Sequence, residues 1–350
     1  MASNMMRTMM YNKPGELVMK EVEIPEPGPG ELLVKVKAAT TCGTDVKTFL
    51  RGHPRIIPPT PFGHEFAGDV AAVGEGVEKF TEGMRVVAHN TAPCGTCYFC
   101  LHHQESMCEK LILNNGAYSD YIIVPAPIVA INTYQIPDNT PYQQASLMEP
   151  LSTVVHGQHQ INIQPGETTA IIGAGGPIGL MHLQLALNRG AALVVAADLS
   201  EYRLGIAKQL GGDRVVTVNP TKDNPLDLIK DLTQGRGVDV AIESAGAVAA
   251  WQTAMAAARP GGRVLWFGGL PKGTTVEIDS YAVHYGELSL HGIFHSTPMD
   301  VYHAFMIITN NVIDTESLIT GRLPLEKVQQ GLEMMIAGEC IKMAIIPEEN

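Results

Sequence analysis

The chain has 350 residues, 45% of them hydrophobic and 17% charged, which is typical of a globular protein with one large domain or two. A formal net charge of −12 argues against nucleic acid or an anionic membrane as the main partner. The opening residues MASNMMRTMM do not resemble a signal peptide, and no stretch approaches the roughly 20 apolar residues of a membrane helix. We therefore expect a cytoplasmic protein.

The first part of the chain, to about residue 150, predicts an irregular, mostly antiparallel β domain. It is rich in proline, glycine and β-branched residues. Short apolar runs such as ELLVKVKAAT, FAGDVAAVG and RVVAH are separated by turn signals, which is the pattern of short strands.

Four of the six cysteines lie in one stretch of this part, PCGTCYFCLHHQESMC. The spacing Cys94-x2-Cys97-x2-Cys100-x7-Cys108 suits a tetrahedral zinc site of four thiolates, which leaves no open position and is therefore structural. Reduced cytoplasmic thiols disfavour disulfides, and the acidic charge disfavours a zinc ribbon for nucleic acid. An iron–sulfur cluster is a further alternative, since its motifs also use closely spaced cysteines.

A second group of possible metal ligands is scattered through three motifs. Cys42 lies in TTCGTD, His64 and Glu65 lie in PFGHEFAG, and Glu149 lies in ASLMEPLST. Taken singly, these are explained as a buried thiol, a turn histidine and solvated carboxylates. Together with the four-cysteine run and the glycine turn that follows, they indicate a specific site.

After residue 167 the pattern changes to alternating strands and helices, which predicts βαβ units and a parallel sheet. Strands are expected at 214–218, 238–244 and 263–269, and helices at 201–210, 225–232 and 248–258. Beyond residue 290 the pattern is mixed, with helices predicted at 298–309 and from Pro324 to Ala337.

The motif GAGGPIG predicts a dinucleotide site, because it follows an apolar strand and opens a helix. Glycine lets the backbone approach a pyrophosphate, and the helix N-terminus then faces the anion. The motif is one residue longer than a strict GxGxxG pattern, and a tight turn without a ligand is the alternative. Its residues are Gly173, Ala174, Gly175, Gly176, Pro177, Ile178 and Gly179.

The end of the next strand carries Asp198, nineteen residues after Gly179. A carboxylate there hydrogen-bonds ribose hydroxyls and repels a 2′-phosphate, so we predict NAD rather than NADP. Arg203 lies five residues further on, either near the adenosine end of the cofactor or solvated on a helix.

These motifs together resemble the zinc-containing medium-chain dehydrogenases. CGTD, GHEFAG, the four-cysteine run, MEPLS, the glycine turn and RLPLEK occur in the order of that family over essentially the whole chain. The resemblance implies an α/β fold in three segments. These are a GroES-like β-rich catalytic domain at 1–150, a Rossmann NAD-binding domain with a doubly wound parallel sheet at 151–290, and a C-terminal return to the catalytic domain at 291–350.

Within the family, MEPLS and HE are most similar to the polyol (sorbitol-type) and threonine dehydrogenase branch. The resemblance implies two zinc ions per chain, one structural in the four-cysteine run and one catalytic. The catalytic zinc would be held by Cys42, His64 and Glu65, with Glu149 at the metal directly or through water. By the same resemblance, Thr153 touches the nicotinamide.

The resemblance also implies a mechanism, in which zinc lowers the pKa of a substrate hydroxyl and the alcohol carbon gives a hydride to NAD. Thr44 is the expected first proton relay, and Asp45 is expected to orient a metal ligand. Many relatives carry a histidine where this chain has Lys47, which leaves Lys47 as a relay end, a cofactor contact or a solvated side chain. His295 stands where polyol and threonine enzymes tend to have an arginine, and it is either a substrate ligand or structural.

The expected activity is therefore NAD-dependent oxidation of a secondary alcohol, in a polyol, a sugar alcohol or a related small molecule. Threonine-type hydroxyamino acid and sugar-phosphate alcohol dehydrogenases are the enzymatic alternatives. A catalytically inert dinucleotide-binding protein is a third alternative, although such a protein has no need of an open zinc site. The family resemblance further implies a homodimer or homotetramer.

Overall fold

A computed structural model describes residues 4–348 of the 350-residue chain. The described residues form two compact units. The β-rich unit comprises residues 4–152, 296–311 and 315–348, and the parallel-sheet unit comprises residues 153–295 and 312–314.

The strands and helices follow one another along the chain with short connections. Within residues 4–348 the strands are β1 (Met5–Lys13), β2 (Glu16–Glu23), β3 (Leu32–Thr40), β4 (Thr60–Pro61), β5 (Phe66–Val73), β6 (Arg85–Ala88), β7 (Thr91–Ala92), β8 (Ile112–Leu113), β9 (Tyr121–Val124), β10 (Thr133–Gln135), β11 (Thr168–Ile172), β12 (Leu193–Ala197), β13 (Val215–Val218), β14 (Val238–Glu243), β15 (Ala258–Trp266), β16 (Ser289–Gly292), β17 (Ile319–Pro324) and β18 (Lys342–Ile346). The helices are α1 (Gly43–Arg51), α2 (Tyr98–Leu101), α3 (Ala126–Asn132), α4 (Tyr142–Ala145), α5 (Met148–Ile161), α6 (Pro177–Asn188), α7 (Glu201–Gly211), α8 (Pro225–Leu232), α9 (Val248–Ala257), α10 (Ser280–Tyr285), α11 (Pro298–Thr309) and α12 (Val328–Ala337). Short 3₁₀ turns lie at Glu105–Met107, Gly212–Arg214, Glu316–Leu318 and Leu325–Lys327.

The main sheet of the β-rich unit has the order β10-β6-β5-β3-β18-β17, and β9 also pairs with β3. Its central strand β3 runs antiparallel to β5 along nearly its whole length, to β9 over its first part and to β18 at its end. The C-terminal strand β18 therefore lies beside the end of β3, from which the chain leads directly to Cys42 and α1.

An aromatic cluster fills the core of this unit. The rings of Tyr11 and Phe62 are stacked with centroids 5.4 Å apart, and Tyr118 meets Phe62 edge to face at 5.9 Å. All three side chains are buried. The cluster packs directly against the segment that leads into His64, because Phe62 and Gly63 immediately precede it.

The parallel-sheet unit has six strands in the order β13-β12-β11-β14-β15-β16, and every pairing is parallel. The order reverses beside β11, since β12 and β14 lie on its two sides. In sheets of this kind ligands bind outside the carboxyl ends of the strands at that reversal. The glycine turn follows β11 and therefore lies at the expected position.

Most elements predicted from the sequence agree with the structure. The helices expected at 201–210, 225–232, 248–258 and 298–309 are α7, α8, α9 and α11, and the predicted alternation with parallel strands is confirmed. Among residues 4–348, no helix combines the length and the apolar character that crossing a bilayer requires.

The helix predicted from Pro324 to Ala337 is wrong at its start. Pro324 has an extended backbone, with φ −70° and ψ 164°, and it pairs with Ile346 in the parallel ladder of β17 and β18. Helix α12 begins only at Val328, after a 3₁₀ turn. Proline suits the end of a strand as well as the first turn of a helix, so the tertiary pairing decided the outcome.

Candidate active site and metal centres

The four cysteines of the 93–108 stretch converge on one point of the β-rich unit. Their sulfur atoms all lie within 4.8 Å of one another. Cys97 Sγ lies 3.5 Å from Cys100 Sγ and 3.9 Å from Cys108 Sγ, and Cys94 Sγ lies 4.0 Å from Cys100 Sγ. Four thiolates around one zinc ion at about 2.3 Å are separated by about 3.8 Å, so the cage fits a single tetrahedral ion.

The alternatives for this cage fit its geometry less well. No disulfide links any of the six cysteines, all of which lie within the described residues. An iron–sulfur cluster holds its thiolates farther apart than one ion does, because several iron atoms stand between them. Hydrogen bonding from the Thr96 backbone lowers the pKa of Cys94 to about 6, which favours the thiolate that a metal requires.

A second group of ligand atoms converges in the same unit. Cys42 caps the N-terminus of α1, where its Sγ accepts a hydrogen bond from Thr44 N at 3.4 Å. His64 and Glu65 lie in the segment between β4 and β5, and both side chains are buried. One ligand atom from each of the three residues lies within 4.8 Å of the other two.

Asp45 lies in the first turn of α1 and orients two of these residues. Its Oδ2 accepts a hydrogen bond from Cys42 N at 3.1 Å, and its Oδ1 lies 3.1 Å from His64 Nδ1. Burial alone would lower the pKa of His64, but the charges of Asp45 and Cys42, together with hydrogen bonds to both, raise that pKa well above its usual value. Because Asp45 faces Nδ1, that nitrogen keeps its proton when a metal displaces the proton of Nε2 and binds there.

Glu149 lies in the first turn of α5 and approaches the group from a third segment. Its Oε2 is 4.0 Å from His64 Nε2, which places this carboxylate beside the three converging ligand atoms. Burial raises the pKa of this carboxyl to about 7. A cation at the shared point would stabilise its ionised form.

Lys342 is a part of this site that the sequence analysis missed. Its side chain is only 1% exposed, and its Nζ lies 2.8 Å and 2.7 Å from the two carboxylate oxygens of Glu65. The hydroxyl of Thr40 also donates to Glu65. A buried ammonium group needs such a partner, and the detectable signal was a lone lysine in the apolar run CIKMAII.

The remaining predicted residues of the site are placed as follows. Thr44 and Lys47 are three positions apart on α1 and therefore share a face of that helix, with Lys47 exposed. Thr153 lies on α5. His295 has φ +61°, a left-handed conformation that costs a non-glycine residue about 1–3 kcal/mol and is frequent at functional sites. Their roles in relay, cofactor contact and substrate contact stay predictions.

The glycine turn connects β11 to α6 in the parallel-sheet unit. Gly173 has φ +89°, and a Cβ on Gly179 would lie 2.2 Å from the carbonyl oxygen of Gly173. Gly176 is the N-cap of α6, with Pro177 and Ile178 in its first turn. The residue by which this motif exceeds a GxGxxG pattern thus lies in the turn before α6 begins. Gly179 permits the close approach of α6 to β11.

Asp198 and Arg203 border this turn. The carboxylate of Asp198 accepts hydrogen bonds from Gly175 N at 2.9 Å and from Ser200 N at 3.0 Å. A Cβ on Gly175 would lie 2.5 Å from Arg203 Cβ. The acidic residue therefore stands directly beside the turn that would hold a pyrophosphate.

Glu243 is a second residue that the sequence analysis missed. This buried carboxylate at the end of β14 accepts hydrogen bonds from Ala245 N at 2.7 Å, Gly246 N at 2.5 Å and Gly268 N at 3.1 Å. It thereby ties together the loops after β14 and β15. Ser244 Oγ donates to Gly173 O at 3.0 Å, which connects the first of these loops to the glycine turn.

Comparisons with known proteins agree with this arrangement. Residues 28–137 match the family model described as alcohol dehydrogenase GroES-like domain, and residues 177–310 match the one described as zinc-binding dehydrogenase. L-threonine 3-dehydrogenase of Thermococcus kodakarensis is 34% identical over 99% of each chain, and sorbitol dehydrogenase of Bacillus subtilis is 32% identical over 98% of each chain.

A solved structure is similar over the same length. A protein of Sinorhizobium meliloti 1021, named as a zinc-binding dehydrogenase and bound to NADP, superposes with a TM-score of 0.90 at 30% identity, over 98% of this chain and 99% of that one. The expected combination of a GroES-like and a Rossmann fold is thus confirmed.

Replacing Cys97 by alanine should remove one zinc ion and lower the melting temperature, because three thiolates do not complete a structural cage. Metal analysis and thermal denaturation measure both effects. Cys340→Ala is the control, since this buried cysteine lies outside the cage and its loss should leave the zinc content unchanged. Unchanged zinc content in Cys97→Ala would argue against a structural ion.

Replacing Lys342 by methionine should lower the free energy of unfolding by about 3–5 kcal/mol, because it leaves the buried charge of Glu65 without its partner. The loss should be smaller when zinc is bound, since the ion then compensates the carboxylate. In the double variant Glu65→Gln/Lys342→Met most of the loss should disappear, as both charges are gone. Equal losses in the single and double variants, measured by urea unfolding, would contradict the pairing.

Replacing Gly179 by alanine should lower the free energy of unfolding by about 1–3 kcal/mol and weaken dinucleotide binding, because the new methyl group meets backbone atoms. The matched control is Gly205→Ala in helix α7, where a Cβ would meet nothing within 4 Å. The free energy of unfolding of that variant should rise by about 0.5–1 kcal/mol, and its dinucleotide binding should be unchanged. Urea unfolding and titration calorimetry separate the two, and similar behaviour of both variants would refute the close approach.

Proposed function

Because the chain belongs to the zinc-dependent family of medium-chain dehydrogenases, we propose that it transfers a hydride from a secondary alcohol to NAD. The observation that carries this proposal is the convergence of Cys42, His64 and Glu65 on one point, with Glu149 close by. Such a set leaves room for a further ligand at the metal, unlike the closed cage of four cysteines.

The donor atoms of this site fit zinc. One thiolate, one imidazole and carboxylates are all ligands that zinc accepts, and the contact of His64 Nδ1 with Asp45 leaves Nε2 as the nitrogen that would bind the ion. Bound zinc would supply Lewis-acid chemistry, lowering the pKa of a hydroxyl group placed at the open position. Asp45 and Lys342 hold the ligands in place through their contacts with His64 and Glu65.

The proton of the substrate hydroxyl needs a route out of the site. Thr44 lies two residues after Cys42, and its hydroxyl is able both to accept and to donate a proton. Lys47 lies one helical turn further on the same face of α1 and is exposed. We assign Thr44 as the first group of this relay and Lys47 as its solvent end.

We propose NAD as the hydride acceptor. The glycine turn and the N-terminus of α6 suit a pyrophosphate, and the loops tied by Glu243 border the same turn. The carboxylate of Asp198 favours ribose hydroxyls and repels a 2′-phosphate. The relative from Sinorhizobium meliloti binds NADP, so the two cofactors are compared directly in the experiment below.

For the substrate we propose a polyol, a sugar alcohol or a related diol, with His295 as a candidate contact. The sorbitol dehydrogenase relative supports this class. A threonine-type hydroxyamino acid is the second candidate, since a relative named L-threonine 3-dehydrogenase matches along the whole chain. The acidic net charge gives no support to a sugar phosphate.

We further propose a cytoplasmic homo-oligomer. The absence of disulfides among the six cysteines suits a reducing compartment. Within the described residues β16 pairs only with β15, so the parallel sheet has an open edge to which a second copy can add. This edge supports a homodimer or a homotetramer.

NAD reduction should be measured over a panel of sugar alcohols, short diols, threonine, hydroxy acids and sugar-alcohol phosphates, with NADP in parallel. We expect turnover of a polyol or diol with NAD preferred. Cys42→Ala is the matched variant and should lose turnover and one zinc ion while keeping the fold and the four-cysteine zinc. Preference for threonine would select the second candidate, and inactivity of protein with two zinc ions on the whole panel would refute the proposal.

A further inference from the structure

We propose that Tyr118 is a positioning residue for the catalytic metal site, through a hydrogen bond from its phenol to Asp45. The proposal depends on the metal site described under the proposed function. Its evidence comes from side chains of the β-rich unit alone. Tyr118 lies 73 residues from Asp45 in sequence and precedes strand β9.

The ring of Tyr118 is held firmly by its surroundings. Its backbone N–H donates to Phe62 O at 3.0 Å, and its carbonyl oxygen accepts from Met9 N at 2.8 Å. One face of the ring packs on Gly63, where a Cβ would lie only 2.7 Å from the ring carbons. Since the side chain is fully buried, its hydroxyl has a fixed direction.

That hydroxyl is aimed at Asp45. Tyr118 Oη lies 2.5 Å from Asp45 Oδ2 and 3.2 Å from Thr40 O. A phenol has one proton to donate, and the charged, nearer carboxylate is the stronger acceptor. Burial raises the pKa of Tyr118 well above its ordinary value, so the group is a donor throughout the usual pH range.

Asp45 connects the hydroxyl of Tyr118 to the metal site. Its side chain is fully buried, and a buried carboxylate requires hydrogen-bond donors. The Tyr118 hydroxyl and Cys42 N both donate hydrogen bonds to Asp45 Oδ2. The other carboxylate oxygen, Oδ1, faces His64 Nδ1 at 3.1 Å. The phenol thus fixes the carboxylate plane, and the carboxylate fixes the orientation and tautomer of His64.

Loss of the phenol oxygen should therefore weaken metal binding without disturbing the ring packing. Residues that hold a metal-ligating histidine typically change metal affinity by about 10–100-fold when they are replaced. For Tyr118→Phe, which acts one contact further away, we expect about a tenfold increase in the dissociation constant of the catalytic zinc, the low end of that range.

The chain offers a matched control in the same aromatic cluster. Tyr11 is also fully buried and stacked on Phe62, and its hydroxyl has no hydrogen-bond partner among the described residues. Tyr11→Phe removes the equivalent phenol oxygen from a neighbouring ring and leaves the hydrogen bonds of Asp45 unchanged. The four-cysteine zinc is a second, internal control within each variant.

The experiment is a competition of each zinc-loaded protein with a chromophoric chelator, with Cys42→Ala used to assign the two ions. Tyr118→Phe should release the catalytic zinc at about tenfold lower chelator concentration, while its four-cysteine zinc and Tyr11→Phe behave as in the wild type. After replacement of the catalytic zinc by cobalt, Tyr118→Phe should also shift the visible absorption bands. In an Asp45→Asn background the same substitution should have a smaller effect, because the remaining amide oxygen is an uncharged and weaker acceptor.

Three results would overturn the proposal. The first is an unchanged zinc affinity and cobalt spectrum in Tyr118→Phe, and the second is an equal loss of zinc affinity in Tyr11→Phe. The third is that Tyr118→Phe lowers the zinc affinity by the full amount in the Asp45→Asn background as well. Thermal denaturation checks that Tyr118→Phe remains folded, which is expected because only one atom is lost. Failure of the proposed function has a different signature. In that case Cys42→Ala retains as much zinc as the wild type, and there is no catalytic ion for Tyr118 to influence.

Discussion

The burial of two carboxylates beside one cluster of ligand atoms is the constraint on which the candidate active site depends. Asp45 and Glu65 are fully buried, and an ionised carboxylate without donors is very costly in a protein interior. The donors come from distant parts of the chain: Tyr118 for Asp45, and Lys342 for Glu65 across 277 residues. The fold of the β-rich unit therefore brings together the groups that stabilise the charges of its site.

The C-terminal segment that returns to the first domain supplies one of these donors. Strand β18 pairs with the end of β3, and that pairing places Lys342 beside Glu65. A buried carboxylate also connects separate segments in the parallel-sheet unit. There Glu243 accepts hydrogen bonds from three backbone N–H groups and so fixes two loops. In both units a buried carboxylate holds segments that local sequence alone would leave mobile.

The parts of the fold and the site that sequence could predict are those set by local physics. The cysteine spacing and the glycine turn each depend on residues within a few positions of one another. Lys342, Tyr118 and Glu243 escaped prediction because their roles arise from contacts that form only in three dimensions. Pro324 was misassigned for the same reason, since its pairing with β18 decided a choice that its local sequence left open.

The charges around the two metal centres differ in a way that bears on their roles. Four thiolates around a divalent ion leave two excess negative charges, which suits a closed, inert site. At the candidate catalytic site, ionised Cys42, Glu65 and Glu149 carry three negative charges, which Lys342 and a divalent ion balance, and the buried carboxylate of Asp45 beside His64 leaves one excess negative charge. An oxygen anion that develops there meets less excess negative charge than it would beside four thiolates. The buried lysine thus keeps a carboxylate-rich ligand set compatible with the deprotonation of an alcohol.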